Sequence, residues 1–206
     1  MGISRTRGWR LLAPLLLAAA GFVVPCAAEE PSGAPAQDAR LNDLTMEYTM
    51  RYQMGEQAEA ILIAERALAE AEAVFGPGHE RTAQVLNDLG HLYESQGKLD
   101  QAGHLHERAL AIRDRVFNGN GPAVTQSLNN LARVYVEQDR SAEAKPLYER
   151  SLAITEQHVP PENPVLLHVL EPYAALLRDT GDPDAAARLE ARIRAIHDAK
   201  TQEKGP

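Results

Sequence analysis

Cysteine is nearly absent. Cys26 is the only one in 206 residues, so no intramolecular disulfide can form and packing alone must hold the fold. Aromatic residues are scarce at 5%. Alanine, leucine, glutamate, arginine and glutamine stand in their place, the residues that lose least entropy on becoming helical. Positive charge is in deficit: the formal net charge is -8, and it falls to -11 once the three arginines near the N-terminus are set aside. Such acidity disfavours nucleic acid and anionic membrane surfaces as partners. The apolar run Leu11 to Val24 is 14 residues long, short of the roughly 20 that a membrane span requires.

That run follows Arg5, Arg7 and Arg10 and precedes Cys26-Ala27-Ala28, the layout of an export signal. The expectation is a signal peptide over 1–28 cleaved after Ala28, giving a periplasmic or secreted protein. Lipid anchoring at Cys26 is a minor alternative, because Val23-Val24-Pro25 is a poor lipoprotein context. Small, polar, Pro-containing residues suggest a flexible linker over 29–40, and residues 200–206 are expected to be a disordered tail.

The remainder repeats at an offset of 42. Glu65-Arg66-Ala67-Leu68, Glu107-Arg108-Ala109-Leu110 and Glu149-Arg150-Ser151-Leu152 are equivalent, as are Ala60, Ala102, Ala144 and Ala186. Gly55, Gly97, Asp139 and Gly181 form a column of turn residues. Within each unit apolar residues recur at helical spacing, as in Leu128, Leu131, Ala132 and Tyr135, which marks one face of a helix. Short polar joints such as Gln138-Asp139-Arg140-Ser141 permit only antiparallel helix pairs, with Ser141 a candidate N-cap. Gly76-Pro77-Gly78 and Gly119-Asn120-Gly121-Pro122 separate the units. The pattern predicts helices near Asp43–Met54, Gln57–Phe75, Glu80–Gln96, Leu99–Val116, Pro122–Gln138, Ser141–Gln157, Pro164–Asp179 and Pro183–Ala199, with Pro172 expected to kink or break the seventh. One such pair cannot bury its second apolar side alone, so stability must be shared along the array.

Leu86, Leu89, Gly90, Tyr93, Ala102 and Ala109, with Leu128, Leu131, Ala132, Tyr135, Ala144, Tyr148 and Ser151 one unit later, resemble the tetratricopeptide repeat in its 42-residue, kinesin-light-chain-like variety. The resemblance implies an all-α, right-handed α-solenoid of about four helix-turn-helix repeats over 41–199, divided near 41–80, 81–121, 122–163 and 164–199. It also implies a concave groove lined by the first helix of each repeat and receiving a peptide or protein segment. Carried over by column, the groove positions are Gln84, Asn87, His91 and Glu94; Gln126, Asn129, Arg133 and Val136; and His168, Glu171 and Arg178, with Asn42, Thr45, Thr49 and Tyr52 as weaker counterparts. Asn87 and Asn129 suit such a groove, since an amide both donates to and accepts from a peptide backbone.

No catalytic residue, cofactor or metal is expected. His104 and His106, two apart on a helix, point away from each other, and no ligand set at zinc-type spacing accompanies them. Gly119-Asn120-Gly121-Pro122 is too short for a phosphate loop and lacks its lysine. The function expected is that of an exported scaffold or adaptor. The alternative is a homo-oligomer assembled through the terminal repeats, and an unfamiliar catalytic site in the groove is the remote third reading.

Overall fold

A computed structural model describes residues 34–203, and all regular structure among them is helical. Eight α-helices follow in order: α1 (Ala34–Gln53), α2 (Gln57–Phe75), α3 (Glu80–Glu94), α4 (Leu99–Val116), α5 (Pro122–Glu137), α6 (Ser141–His158), α7 (Leu167–Asp179) and α8 (Pro183–Glu203), with one 3-10 turn, Pro164–Leu166, ahead of α7. The export signal, Cys26, residues 29–33 and residues 204–206 lie outside the described residues. None of the described helices is long and apolar enough to cross a membrane.

Turn chemistry accounts for the breaks. Gly55, Gly97 and Gly181 have φ of 82°, 68° and 81°, and Asp139 takes the same left-handed conformation at 59°, a region that glycine enters without strain and Asn or Asp tolerates. The His79 side chain accepts from the Arg81 N–H at 3.1 Å, capping α3. Asn163 accepts from the Val165 N–H at 2.9 Å, where the chain enters the 3-10 turn. Ser141 is the first residue of α6 rather than its cap; Arg140 precedes it and no side chain caps that end.

Two boundaries differ from expectation. Residues 34–40 are helical, not linker, because α1 begins at Ala34. Pro35 is harmless there, since the first turn of a helix needs no N–H partner, and Arg81 of α3 fastens Asp38 at 2.8 Å. At the other end α8 continues through residues 200–203, with no helix breaker before Gly205. Pro172 does not break α7. It is the sixth residue of that helix, and the carbonyl deprived of its hydrogen bond belongs to exposed His168, within reach of water. Pro146 takes the same place in α6.

Each helix packs on its neighbours in sequence, and the buried clusters straddle the repeats. Leu41, Leu44 and Tyr48 of α1 and Ile61, Ile63 and Ala64 of α2 share one cluster with Val85, Leu89 and Leu92 of α3. A second runs from Leu110 of α4 to Ala186 of α8, holding Leu128, Leu131 and Tyr148 between them. Two polar ladders repeat on top of this. Tyr93, Tyr135 and Tyr173 each donate to a glutamate of the preceding repeat, Glu65 at 2.6 Å, Glu107 at 2.7 Å and Glu149 at 2.9 Å. Arg108, Arg150 and Arg192 reach Glu72, Asp114 and Glu156, each at 2.6 Å.

The end faces break the pattern. Where α3 turns Val85, Leu89 and Leu92 to the preceding repeat, the equivalent residues of α1 are Asp43, Glu47 and Met50, all exposed. Where α6 turns Tyr148 to stack on Tyr173, ring centroids 5.9 Å apart, the equivalent residue of α8 is Glu190, followed by exposed Arg194 and His197. The α8 face is polar, as a terminal repeat needs to meet water, whereas α1 and the turn after it leave Met46, Met50 and Met54 exposed.

Candidate partner-binding site

Helices α5, α6 and α7, with Glu80 of α3 and Arg113 of α4, line an open cavity of about 710 Å³. Gln126, Asn129 and Arg133 of α5 face His168 and Pro172 of α7 across it, with Tyr148 and Thr155 of α6 behind and Val165 and Val169 supplying apolar wall. Four expected groove residues therefore meet here: Gln126, Asn129, Arg133 and His168. Six do not line it. Gln84 is exposed elsewhere, Glu171 is exposed and lies 3.7 Å from His197, and Arg178 pairs with Glu190 at 3.0 Å. The other three, Asn87, His91 and Glu94, belong to a polar network beside the cavity. Of the weaker counterparts, Asn42, Thr45 and Thr49 border a separate depression of about 340 Å³ with Met46 and Met50; Tyr52 does not line it.

Asn87, expected in the groove, is 3% exposed. The Asn130 amide of the next repeat donates to its Oδ1 at 2.7 Å. The same amide nitrogen lies 3.2 Å from His91 Nε2, while His91 Nδ1 lies 3.5 Å from Glu94 Oε2 and 3.1 Å from the Arg133 guanidinium. His106 Nε2 donates to Glu94 Oε1 at 2.7 Å, and Arg133 reaches Glu94 Oε2 at 2.7 Å. Burial pushes the Glu94 carboxyl up, but hydrogen bonds from His106 and His91 and the Arg133 charge outweigh it and hold the pKa at about 2. Burial lowers the pKa of His106, leaving a neutral ring beside an ionised carboxylate.

Asn129 occupies the Asn87 column one repeat later and fares differently. Its Oδ1 is buried without a hydrogen-bond partner. The residue standing to Asn129 as Asn130 stands to Asn87 is Pro172, which has no donor. Proline at this place thus leaves the cavity with an acceptor that the fold does not satisfy, a cost of about 1–3 kcal/mol when no partner arrives.

Arg113 forms the inner wall. It is 4% exposed, and it grips Glu80 of α3 at 3.0 Å and, from α5, the Ala123 carbonyl at 3.3 Å, Gln126 Oε1 at 3.1 Å and Ser127 Oγ at 3.0 Å. Apolar spacing does not single out Arg113, and it sets His106 beside His104 rather than beside its partners on α3. Their repeat columns carried the signal: Ala71, Arg113, Thr155, His197 and Ala64, His106, Tyr148, Glu190 each place a polar ring or cation where a neighbouring repeat has a buried alanine.

A tetratricopeptide repeat family profile matches residues 49–114 and 89–157. The chain belongs to the tetratricopeptide repeat family. Among solved structures, this tetratricopeptide repeat protein superposes on BtubC (BKLC) from P. vanneervenii with a TM-score of 0.74 at 20% identity, covering 80% of this chain and 66% of that one. It also superposes on a putative kinesin light chain from Podosopora anserina with nearly identical TPR-like repeats, with a TM-score of 0.68 at 26% identity, covering 79% and 77%. No curated protein matches the sequence. The fold is an all-α solenoid, and tetratricopeptide repeats are in general protein–protein interaction scaffolds.

Proposed function

We propose that this chain is an exported adaptor which holds an extended segment of another protein in the cavity between α5 and α7. The observation that carries the reading is the buried, unpartnered Oδ1 of Asn129, an acceptor suited to a peptide N–H, set among Gln126, His168 and the apolar Val165 and Val169. The charged outer face of α8, with Glu190, Arg194 and His197, lends no support to end-to-end assembly, and the reading is one of binding rather than catalysis.

Pro172→Asn supplies the donor that the preceding repeat uses at this place. It should raise stability by about 1 kcal/mol, the worth of a typical internal hydrogen bond. It should also weaken, at least tenfold, peptides selected on the unsubstituted chain from a displayed library, as measured by fluorescence anisotropy. Equal affinity in the two proteins would remove Asn129 from the site. Export has its own check: the N-terminus of protein recovered from the cell envelope or medium should be Glu29, and an intact Met1 terminus there would rule out cleavage.

A further inference from the structure

We propose that His91, Glu94 and His106 form a binding site for one divalent transition-metal ion, with zinc the ion they suit best. The inference does not depend on the peptide reading. Pairing His106 with His104 misses it, because His104 projects into solvent with its side chain 80% exposed whereas His106 is fully buried.

His91 and Glu94 stand three apart on α3 and so share one side of the helix. His106 comes across from α4, its ring lying against Gly90, where a Cβ would stand 2.7 Å from Cε1 and Nε2. The imidazole edges meet at 5.1 Å between centroids, nearly T-shaped. One donor atom from each of the three residues lies within 4.8 Å of the others. Two imidazoles and one carboxylate are a zinc-type set that leaves a fourth position open, and imidazole disfavours magnesium and calcium, which seek oxygen.

Tetrahedral zinc, with bonds of about 2.0–2.2 Å, requires donor atoms about 3.3 Å apart. His106 Nε2 and Glu94 Oε1 are already 2.7 Å apart. His91, with a side chain 39% exposed, has the freedom to close the remaining gap. No partner at His106 Nδ1 ties the ring to its present tautomer, so the proton can move there and free Nε2. The cation now at the site is Arg133, 2.7 Å from Glu94 and 3.1 Å from His91 Nδ1. Its side chain is 43% exposed, so it can withdraw into water when a metal takes its place.

The test is calorimetric titration of the tag-free, chelator-stripped full chain with zinc chloride, repeated with cobalt(II) to read the visible absorption of a tetrahedral complex. The expected result is saturable uptake of one ion per chain, weakened at least tenfold in His91→Ala and tightened in Arg133→Gln, with circular dichroism unchanged in both. His91 is the chosen ligand change because its half-exposed ring can be lost without unfolding the repeat. No saturable uptake by the unsubstituted chain would overturn the proposal, as would uptake unaltered by His91→Ala. Binding no tighter in Arg133→Gln would show that the ion sits elsewhere.

Discussion

Arg113→Ala is expected to cost about 3–5 kcal/mol of unfolding free energy, because the side chain is buried and hydrogen bonds from a charged group contribute about 1.5–3 kcal/mol each. Arg113 projects from α4, pairs with Glu80 of α3, and donates to Ala123, Gln126 and Ser127 of α5, so a single side chain ties three consecutive helices across a repeat boundary. Its loss leaves the fully buried Ser127 hydroxyl without this donor and opens a void between α4 and α5. Since a whole domain is typically stable by about 5–15 kcal/mol, the variant should lie near the edge of folding. Arg113→Lys should recover only part of the loss, because an ammonium is a point charge with three donors and cannot span the carboxylate and the α5 acceptors together. Urea unfolding measures both; a loss under about 1 kcal/mol in Arg113→Ala would mean that apolar packing alone holds this boundary.

Gly90→Ala should destabilise the protein by about 1–3 kcal/mol through overpacking, although in an unconstrained helix the same change gains about 1 kcal/mol. The sign reverses because the new Cβ would lie 2.7 Å from two atoms of the His106 ring and 3.1 Å from a third. That ring is fully buried and bonded to Glu94, so it has nowhere to retreat. Adding His106→Ala should abolish the Gly90 penalty, and a double-mutant cycle by thermal unfolding should return a coupling of at least about 1 kcal/mol. Independent, additive effects of the two changes would refute the contact.

The same two residues show what could be read from the chain and what could not. Apolar spacing and the 42-residue offset located every helix, because the alternation of buried and exposed positions is local and repeated. The start of α1 is hidden because the composition around Pro35 is that of a linker, while the anchor on this segment, Arg81 on Asp38, is separated from it by more than one repeat. Among the groove residues, Asn87 and Asn129 share a column but meet different groups of the following repeat, an amide in one case and a proline in the other. A column fixes the direction of a side chain; the chemistry it meets depends on the next repeat. His106 has His104 as its neighbour in sequence, but its partners His91 and Glu94 lie on the antiparallel helix.

The arginine ladder has a bearing on how such a chain could lengthen. Arg108, Arg150 and Arg192 each find their acid in the helix one unit behind, at a constant interval along the chain, so the interaction is indifferent to which unit supplies it. A copy of the 81–121 segment spliced between the second and third repeats would arrive with an arginine for the unit before it and a carboxylate for the unit after. Growth by internal duplication would therefore preserve every such join; beyond α8 the acid column continues at Asp198, but the packing face there carries Glu190 and Arg194.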